Sequence, residues 1–159
     1  MWAPVLARII QDLTVVLFGL FAGAMLLIAV AFVGYWQSLE PAAFLSWFAT
    51  HAHRIESLMI PLGVAATAAA IGSAVVTWRI GGRVRAWAFT SAALAVLVVV
   101  VYFTVHASRN AAFAARAVAP EDVFRELATW ATWHWVRVGL GVGAFYAQLL
   151  SIRARVAHT

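Results

Sequence analysis

The sequence predicts an all-α integral membrane protein that folds as one antiparallel four-helix bundle, with a short interfacial helix between the first two spans. Of its 159 residues, 65% are hydrophobic and 11% are charged, about half the charged fraction of an ordinary soluble domain. Four apolar runs each reach the roughly 20 residues that a helix needs to cross a bilayer. They leave no room for a second sizeable domain. The predicted spans are 13–36, 53–78, 87–107 and 128–152.

Each connection between the spans carries a local signal. Trp36 marks a membrane interface at the end of the first span. A proline at position 41 predicts the start of a short helix over 41–49, with aromatic residues on one face that suit the membrane surface. A tight basic turn over 79–85 joins the second and third spans, and the longest polar segment, 108–127, joins the third and fourth.

The composition excludes several classes of site. Cysteine is absent, so the chain has no disulfides, thiolate metal sites or cysteine nucleophiles. The net charge is +5 and all eleven basic residues are arginine. Most of them flank apolar spans, where lipid headgroups explain them better than nucleic acid does. The absence of lysine beside abundant alanine is typical of a bacterial genome of high GC content.

The arginines also predict an orientation. Six lie at the end that holds both termini, whereas three lie in loops at the opposite end, after Arg54 and Arg137 are assigned to helices. Cytoplasmic loops are enriched in basic residues. We therefore expect a multi-pass protein of the bacterial inner membrane with both termini in the cytoplasm. Gly19 and Gly23 form a small-residue face that permits a homo-oligomer and equally serves packing within the bundle.

Four of the five histidines fall at one end of this bundle. His51 and His53 open the second span, His106 closes the third, and His134 opens the fourth. Antiparallel threading brings these points to one level, on the extracytoplasmic side. Ionisable side chains at membrane depth are expensive, and they are retained where they pair, bind or react. This end is therefore the candidate site.

Spacing along the helices adds partners to the histidines. His53 and Glu56 are three residues apart and share a helix face, and so do His106 and Asn110, which are four apart. On the last helix one stripe combines polar and aromatic residues, namely Glu126, Trp130, His134 and Arg137. Arg137 inside a span needs a partner, and Glu56 and Glu126 are the available acids. Alternatively, Glu56 forms an ordinary structural ion pair and the tryptophans form an aromatic belt.

Imidazole and carboxylate without thiolate suit a transition metal, Fe or Cu before Zn. The predicted metal ligands are His53, Glu56, His106 and His134, with His51 as an additional ligand. The first alternative is haem b held by two histidines from different helices, which would make the protein an electron carrier. The second alternative is a non-enzymatic accessory subunit or metal carrier that docks a partner through 108–127.

The chain also resembles a known family. The resemblance rests on three places: the small-residue first span around Gly19 and Gly23, the pair Arg109-Asn110 after the third span, and Trp130-x-x-Trp133-x-x-x-Arg137 opening the fourth. These features are similar to the anthrone oxygenase-like family of small four-helix membrane proteins, whose fungal members are linked to oxidation of anthrones to anthraquinones. The resemblance implies an enzyme that uses O2 on a lipophilic, aromatic substrate. It also implies site roles for Asn110, Trp130, Trp133 and Arg137. We therefore predict a membrane-embedded, metal-dependent oxidoreductase or oxygenase that acts on a lipophilic substrate, ahead of the two alternatives above.

Overall fold

The computed structural model describes residues 3–157, and they form a helical bundle. The first span combines α1 (Ala3–Leu27), a π-helical turn (Ile28–Phe32) and α2 (Val33–Gln37). The second is α3 (Pro41–Thr77). The third combines α4 (Gly82–Val101), a π-helical turn (Tyr102–His106) and α5 (Ala107–Ala114). A 3₁₀ turn (Pro120–Asp122) leads into α6 (Val123–Val156), the fourth span.

Within this described part, four helices are long and apolar enough to cross a membrane, which confirms the predicted four-helix class and indicates a membrane protein. The first span packs on the second and fourth, and the third span also packs on the second and fourth, so the helices form a ring of four. Large apolar side chains on the outer surface are exposed along every helix. The spans have 33–37 residues, well beyond the roughly 20 needed for the hydrocarbon layer, so the bundle projects past it.

The segment predicted as a separate interfacial helix is instead the beginning of α3, and this part of the prediction is wrong. Pro41 occupies the start of the helix, as expected, but the helix then continues without a break to Thr77. No glycine or proline interrupts positions 42–60. Phe44 and Phe48 are buried in the bundle, where they pack on Phe113. This packing holds the segment in line with the rest of α3.

Two connections show backbone conformations with positive φ. At the tight basic turn, Gly81 and Gly82 have φ of 76° and 54°, which glycine adopts without steric cost. The loop between the third and fourth spans is short, because α5 extends to Ala114. Arg116 in that loop has φ of 54°.

The interior of the bundle changes character along its length. The middle is built largely from alanines and a few larger apolar residues around Phe18 and Met25. The end with the termini buries a layer of polar side chains, which includes Gln11 and Gln148. The opposite end holds an aromatic cluster around Trp36, Phe44 and Trp130. The candidate site lies between this aromatic cluster and the alanine-rich middle.

Candidate functional site

Three ionisable side chains are buried next to one another at the predicted histidine end. His106 is 0% exposed, His134 is 1% exposed and Arg137 is 8% exposed. Arg137 lies 16 residues before Arg153 on the same helix, about 24 Å along its axis. Because the hydrocarbon layer is about 30 Å thick, a bundle with Arg153 at one boundary has Arg137 just inside the other.

Backbone geometry at this level is unusual. Tyr102–His106 is a π-helical turn at the end of α4, and Ile28–Phe32 is a second π-helical turn in the first span. Such turns are rare and occur often at functional sites. The turn in the third span ends on His106, whose Nδ1 lies 3.4 Å from the carbonyl oxygen of Val101. The π-helical turn therefore helps to set the position of a buried histidine.

The two histidine rings share a tryptophan neighbour. The ring of Trp130 stacks on His134 at a centroid distance of 4.7 Å and an interplanar angle of 15°. It also meets the edge of His106 at 4.9 Å. The centroids of the two imidazoles are 6.0 Å apart. The rings of His106 and His134 thus lie next to each other, as predicted, although the two residues belong to different spans.

Each imidazole keeps one ring nitrogen without a hydrogen-bond partner among the described residues. Nε2 of His134 donates to the carbonyl oxygen of Met25 at 2.9 Å, so in the neutral ring Nδ1 carries a lone pair. That Nδ1 has no partner, and neither has Nε2 of His106. The backbone of Trp130 is also near the His106 ring, but no hydrogen bond of ordinary geometry reaches Nε2.

A chain of hydrogen bonds runs beside the histidines. The indole N–H of Trp130 donates to Oδ1 of Asn110 at 2.8 Å. The amide of Asn110 in turn donates to Oε1 of Glu56 at 3.3 Å. Three residues singled out in the sequence, on three different spans, are therefore connected. Helix α5 makes this possible, because it carries Asn110 beyond the predicted end of the third span.

Arg137 has no acidic partner among residues 3–157. Its guanidinium lies over the ring of Tyr102, 5.3 Å from the centroid, and its Nε is buried without a hydrogen-bond partner. The prediction that Glu126 serves Arg137 is wrong, because Glu126 forms a 3.0 Å ion pair with Arg109. Glu56 is engaged by Asn110 instead. A buried cation without a counterion is costly.

A cavity of about 50 Å³ reaches this cluster, and its wall includes Glu56, Tyr102, Asn110, His134 and Arg137. Glu56 and Arg137 thus line one space without forming an ion pair. A ligand atom placed between them can accept a hydrogen bond from Arg137 and donate one to Glu56. A hydroxyl group, unlike an ether or a simple cation, fulfils both requirements.

Three predicted residues do not join the cluster. His53 is exposed on the outside of α3. The ring of His51 stacks on the ring of Trp47 at a centroid distance of 5.0 Å. Its Nδ1 lies 2.9 Å from the carbonyl oxygen of Trp47. Trp133 is exposed on α6. None of the three lines the cavity beside Arg137.

The arrangement offers a partial fit to a transition-metal ion. A bond from an imidazole nitrogen to such an ion is about 2.0–2.1 Å long, so two rings that share one ion have centroids about 5–6.5 Å apart. The observed 6.0 Å between His106 and His134 falls in this range. In the described part of the chain, however, no group of three or more His, Asp or Glu side chains is placed to hold a metal ion. The fit therefore rests on two imidazoles.

Three residues that line the cavity beside Arg137 were not predicted for that role: Tyr102, Met59 and Trp36, the last of which marked only a membrane interface in the sequence. Tyr102 is the residue over which Arg137 lies, and it precedes His106 by four positions, which is a signal of a shared face. The indole nitrogen of Trp36 is buried without a partner. Met59 has no distinguishing signal in the sequence, because apolar residues surround it.

Comparison of the chain with protein-family models, with curated proteins and with solved structures gives no match.

Proposed function

We propose that the protein is a membrane-embedded oxidoreductase of the oxygenase type that acts on a lipophilic substrate carrying an oxygen atom. The observation that carries the proposal is Arg137: a buried guanidinium, without an acidic partner in the described chain, on the wall of a cavity in an apolar bundle. A substrate oxygen supplies the missing partner. Glu56 on the same wall then serves as the proton acceptor.

The chemistry follows from these two groups. A phenolic or enolic hydroxyl between them gives its proton to the Glu56 carboxylate, and Arg137 stabilises the negative oxygen that forms. The electron-rich substrate then reacts with O2. For a CH2 group oxidised to a carbonyl, the carbon loses two hydrogens and gains one oxygen atom, and the second oxygen leaves as water. The family resemblance supports O2 as oxidant and a fused aromatic ketone as substrate.

His106 and His134 are the residues we propose to hold Fe or Cu, with Zn third in order. When bound, such an ion supplies O2 binding and electron transfer at open coordination positions. Within the chain, Trp130 packs against both imidazoles, and the hydrogen bond to Met25 orients His134. Haem b receives less support, because the indole and a cavity of about 50 Å³ leave little space for a macrocycle between the rings.

Turnover of anthrone to anthraquinone in nanodiscs under air tests the proposal, with empty nanodiscs as the measure of autoxidation. We expect Arg137→Met and Glu56→Gln each to lower the protein-dependent rate by about 100-fold, the size typical of a lost oxyanion donor or general base. His53→Gln, at an exposed position on the same helix as Glu56, is the matched control and keeps the rate. Equal rates for all four proteins would contradict the proposal.

Metal content is tested separately by elemental analysis of protein purified without chelators. We expect Fe or Cu near one ion per chain, lost in His134→Ala and retained in His53→Ala. Protein that turns over anthrone without bound metal would remove the two imidazoles from the metal proposal and leave the roles of Arg137 and Glu56 in place.

We also propose that the protein lies in a bacterial inner membrane, with both termini in the cytoplasm and the histidine end outside. The support is the six-to-three distribution of loop arginines described above. A C-terminal alkaline phosphatase fusion should be inactive, and a fusion inserted in the loop after α5 should be active. The reverse pattern would invert the orientation without altering the site.

A further inference from the structure

We propose that the substrate reaches Arg137 sideways from the lipid, through an apolar cleft between the second and third spans, and that its apolar body remains in this cleft. The inference rests on the proposed function, because it takes the ligand of the inner cavity to be lipophilic. It concerns a different part of the molecule, the path and the binding surface outside the polar cluster. It therefore has its own test.

The cleft has a volume of about 100 Å³ and adjoins the inner cavity. Four residues belong to the walls of both spaces: Met59, Ile60, Tyr102 and Arg137. Moving outward from Arg137, the wall is formed by side chains of α3, α4 and the first span, and they are apolar. Polarity thus falls from the guanidinium towards the outside of the bundle.

The outer rim of the cleft faces the side of the helices that lipid covers. Ile60 is 48% exposed, Val64 is 64% exposed and Phe103 is 69% exposed, and all three line the cleft. Val64 and Ile60 lie 15 and 19 residues before Arg79, and Phe103 lies 18 residues after Arg85. These separations correspond to about 22–29 Å along the helix axis from the basic turn, which is within a hydrocarbon layer about 30 Å thick. A molecule dissolved in the bilayer can therefore meet the cleft without crossing the headgroup layer.

A close contact beneath α3 accounts for part of the cleft wall. The ring of Phe21, from the first span, lies against Gly63, and a Cβ atom added there would be 3.0 Å from Phe21 Cζ. Any other residue at position 63 would require the Phe21 ring to move away by a few tenths of an ångström. Phe21 and Gly63 both line the cleft, so this contact forms a smooth apolar wall between the lipid side and Arg137.

The size and polarity of these spaces favour one kind of occupant. An apolar protein cavity of roughly 150 Å³ accepts a benzene molecule, which is comparable to the cleft and the cavity taken together. An aromatic substrate with one hydroxyl places its oxygen at Arg137 and one ring in the cleft, and further fused rings extend past the exposed rim of Ile60, Val64 and Phe103. A phospholipid headgroup is bulkier and brings several polar oxygens into an apolar space. We therefore assign the cleft to an aromatic alcohol or phenol.

Photolabelling with 4-hydroxybenzophenone in nanodiscs tests this assignment, because the probe joins a phenol to a photoreactive ketone. Labelled peptides are identified by mass spectrometry, and labelling that excess 2-naphthol removes is counted as specific. We expect specific labelling on 59–64 and 98–103. Arg137→Met should lower it at least tenfold. Specific labelling confined to the surface around Trp47 and Trp133 would contradict the proposal that the substrate binds in the cleft.

A blocking substitution separates the cleft from the polar site. Val99 lines the cleft and is half-buried, so Val99→Trp should fill it and lower specific labelling at least fivefold, whereas Val99→Ala should not. Val142→Trp makes the same change at an exposed position of α6 and serves as the control. Full labelling of Val99→Trp alongside weak labelling of Arg137→Met would contradict substrate binding in the cleft and leave the proposed function unaffected. Specific labelling that none of these substitutions changes would contradict both.

Discussion

Two layers of buried polar side chains lie in this bundle, and only one of them has complete hydrogen bonds. The glutamine layer, near the termini, consists of Gln11, Ser73, Gln148 and Ser151. Gln11 donates to Ser151 at 2.9 Å, and Ser151 donates to the carbonyl oxygen of Val84 at 2.8 Å. Gln148 donates to Ser73 at 2.9 Å. The layer connects all four spans and leaves no described side-chain nitrogen or oxygen of its own without a partner.

The histidine layer consists of Trp36, His106, His134 and Arg137, and it contrasts with the first. Each of these residues has one buried nitrogen without a hydrogen-bond partner, and in the described chain no other buried side-chain nitrogen or oxygen lacks one. Unsatisfied buried groups cost free energy, and an apolar bundle gains nothing structural from them. The difference is consistent with a structural role for the glutamine layer, and it is the reason we propose a binding role for the histidine layer.

The largest expected effect comes from removing the unpaired charge. Arg137→Met keeps the length of the side chain and removes the guanidinium, so we expect the free energy of unfolding to rise by about 2 kcal/mol or more. The same variant should lose anthrone turnover. Unfolding in detergent with increasing SDS, followed by tryptophan fluorescence, measures the change. Arg153→Met, at an exposed position of the same helix, is the control and should alter neither quantity.

A fall in the stability of Arg137→Met would contradict the comparison, because it would make the guanidinium a structural group like the side chains of the glutamine layer. Arg137→Lys sharpens the test. Lysine retains the charge but has no planar pair of donors. It should therefore restore the lower stability of the parent protein without restoring turnover.

The second prediction concerns the glutamine layer and has the opposite sign. Gln148→Leu leaves Ser73 without its partner, so we expect the free energy of unfolding to fall by about 1–3 kcal/mol. Turnover should be unchanged at a temperature where the variant is folded. The same SDS titration applies. The double variant Ser73→Ala/Gln148→Leu should recover part of the loss, since it removes both partners, and a larger loss would indicate a packing effect instead.

The layout of this bundle was predictable because each span is a long apolar run bounded by polar or aromatic residues. The level of the histidines followed from the same pattern. The rotation of each helix about its own axis, which decides which side chains face the interior, did not follow from this pattern. Phe44, Phe48, Ala52 and Glu56 recur every four residues, so the buried aromatic row of α3 leads to Glu56 and turns His53 outward. Had the buried face of this helix been assigned from Phe44 and Phe48 rather than from the histidines, Glu56 would have been predicted inside the bundle and His53 outside it.

Other features depend on packing between helices, which spacing along one helix does not encode. The residues of the π-helical turn, Tyr102–His106, carry no sequence signal for a widened turn. The ion-pair partner of Glu126 also depends on which arginine the helix packing places beside it. Arg109 on α5 does so because that helix continues past the predicted end of the third span. Arg137 was therefore left without the acid that the sequence suggested.

The smallest expected effect concerns the hydrogen bonds from Trp130, whose ring packs on both imidazoles, through Asn110 to Glu56. Hydrogen bonds between membrane helices are worth about 0.6 kcal/mol on average. We expect Asn110→Ala to lower the free energy of unfolding by about 1 kcal/mol. Trp130→Phe, which removes the indole N–H, should have an effect of similar size. Both are measured by the same SDS titration.

The double variant decides what the Asn110 amide does. If Asn110 joins Trp130 to Glu56, the two losses are not additive, and the coupling energy is about 0.5–1 kcal/mol. Additive losses would mean that the two contacts are independent and that Glu56 is positioned by its own helix. Turnover gives a second readout, because Glu56 held by Asn110 should transfer protons faster than Glu56 free to rotate. A slower rate in Asn110→Ala, with metal content and substrate labelling unchanged, would assign Asn110 to positioning the proton acceptor rather than to binding.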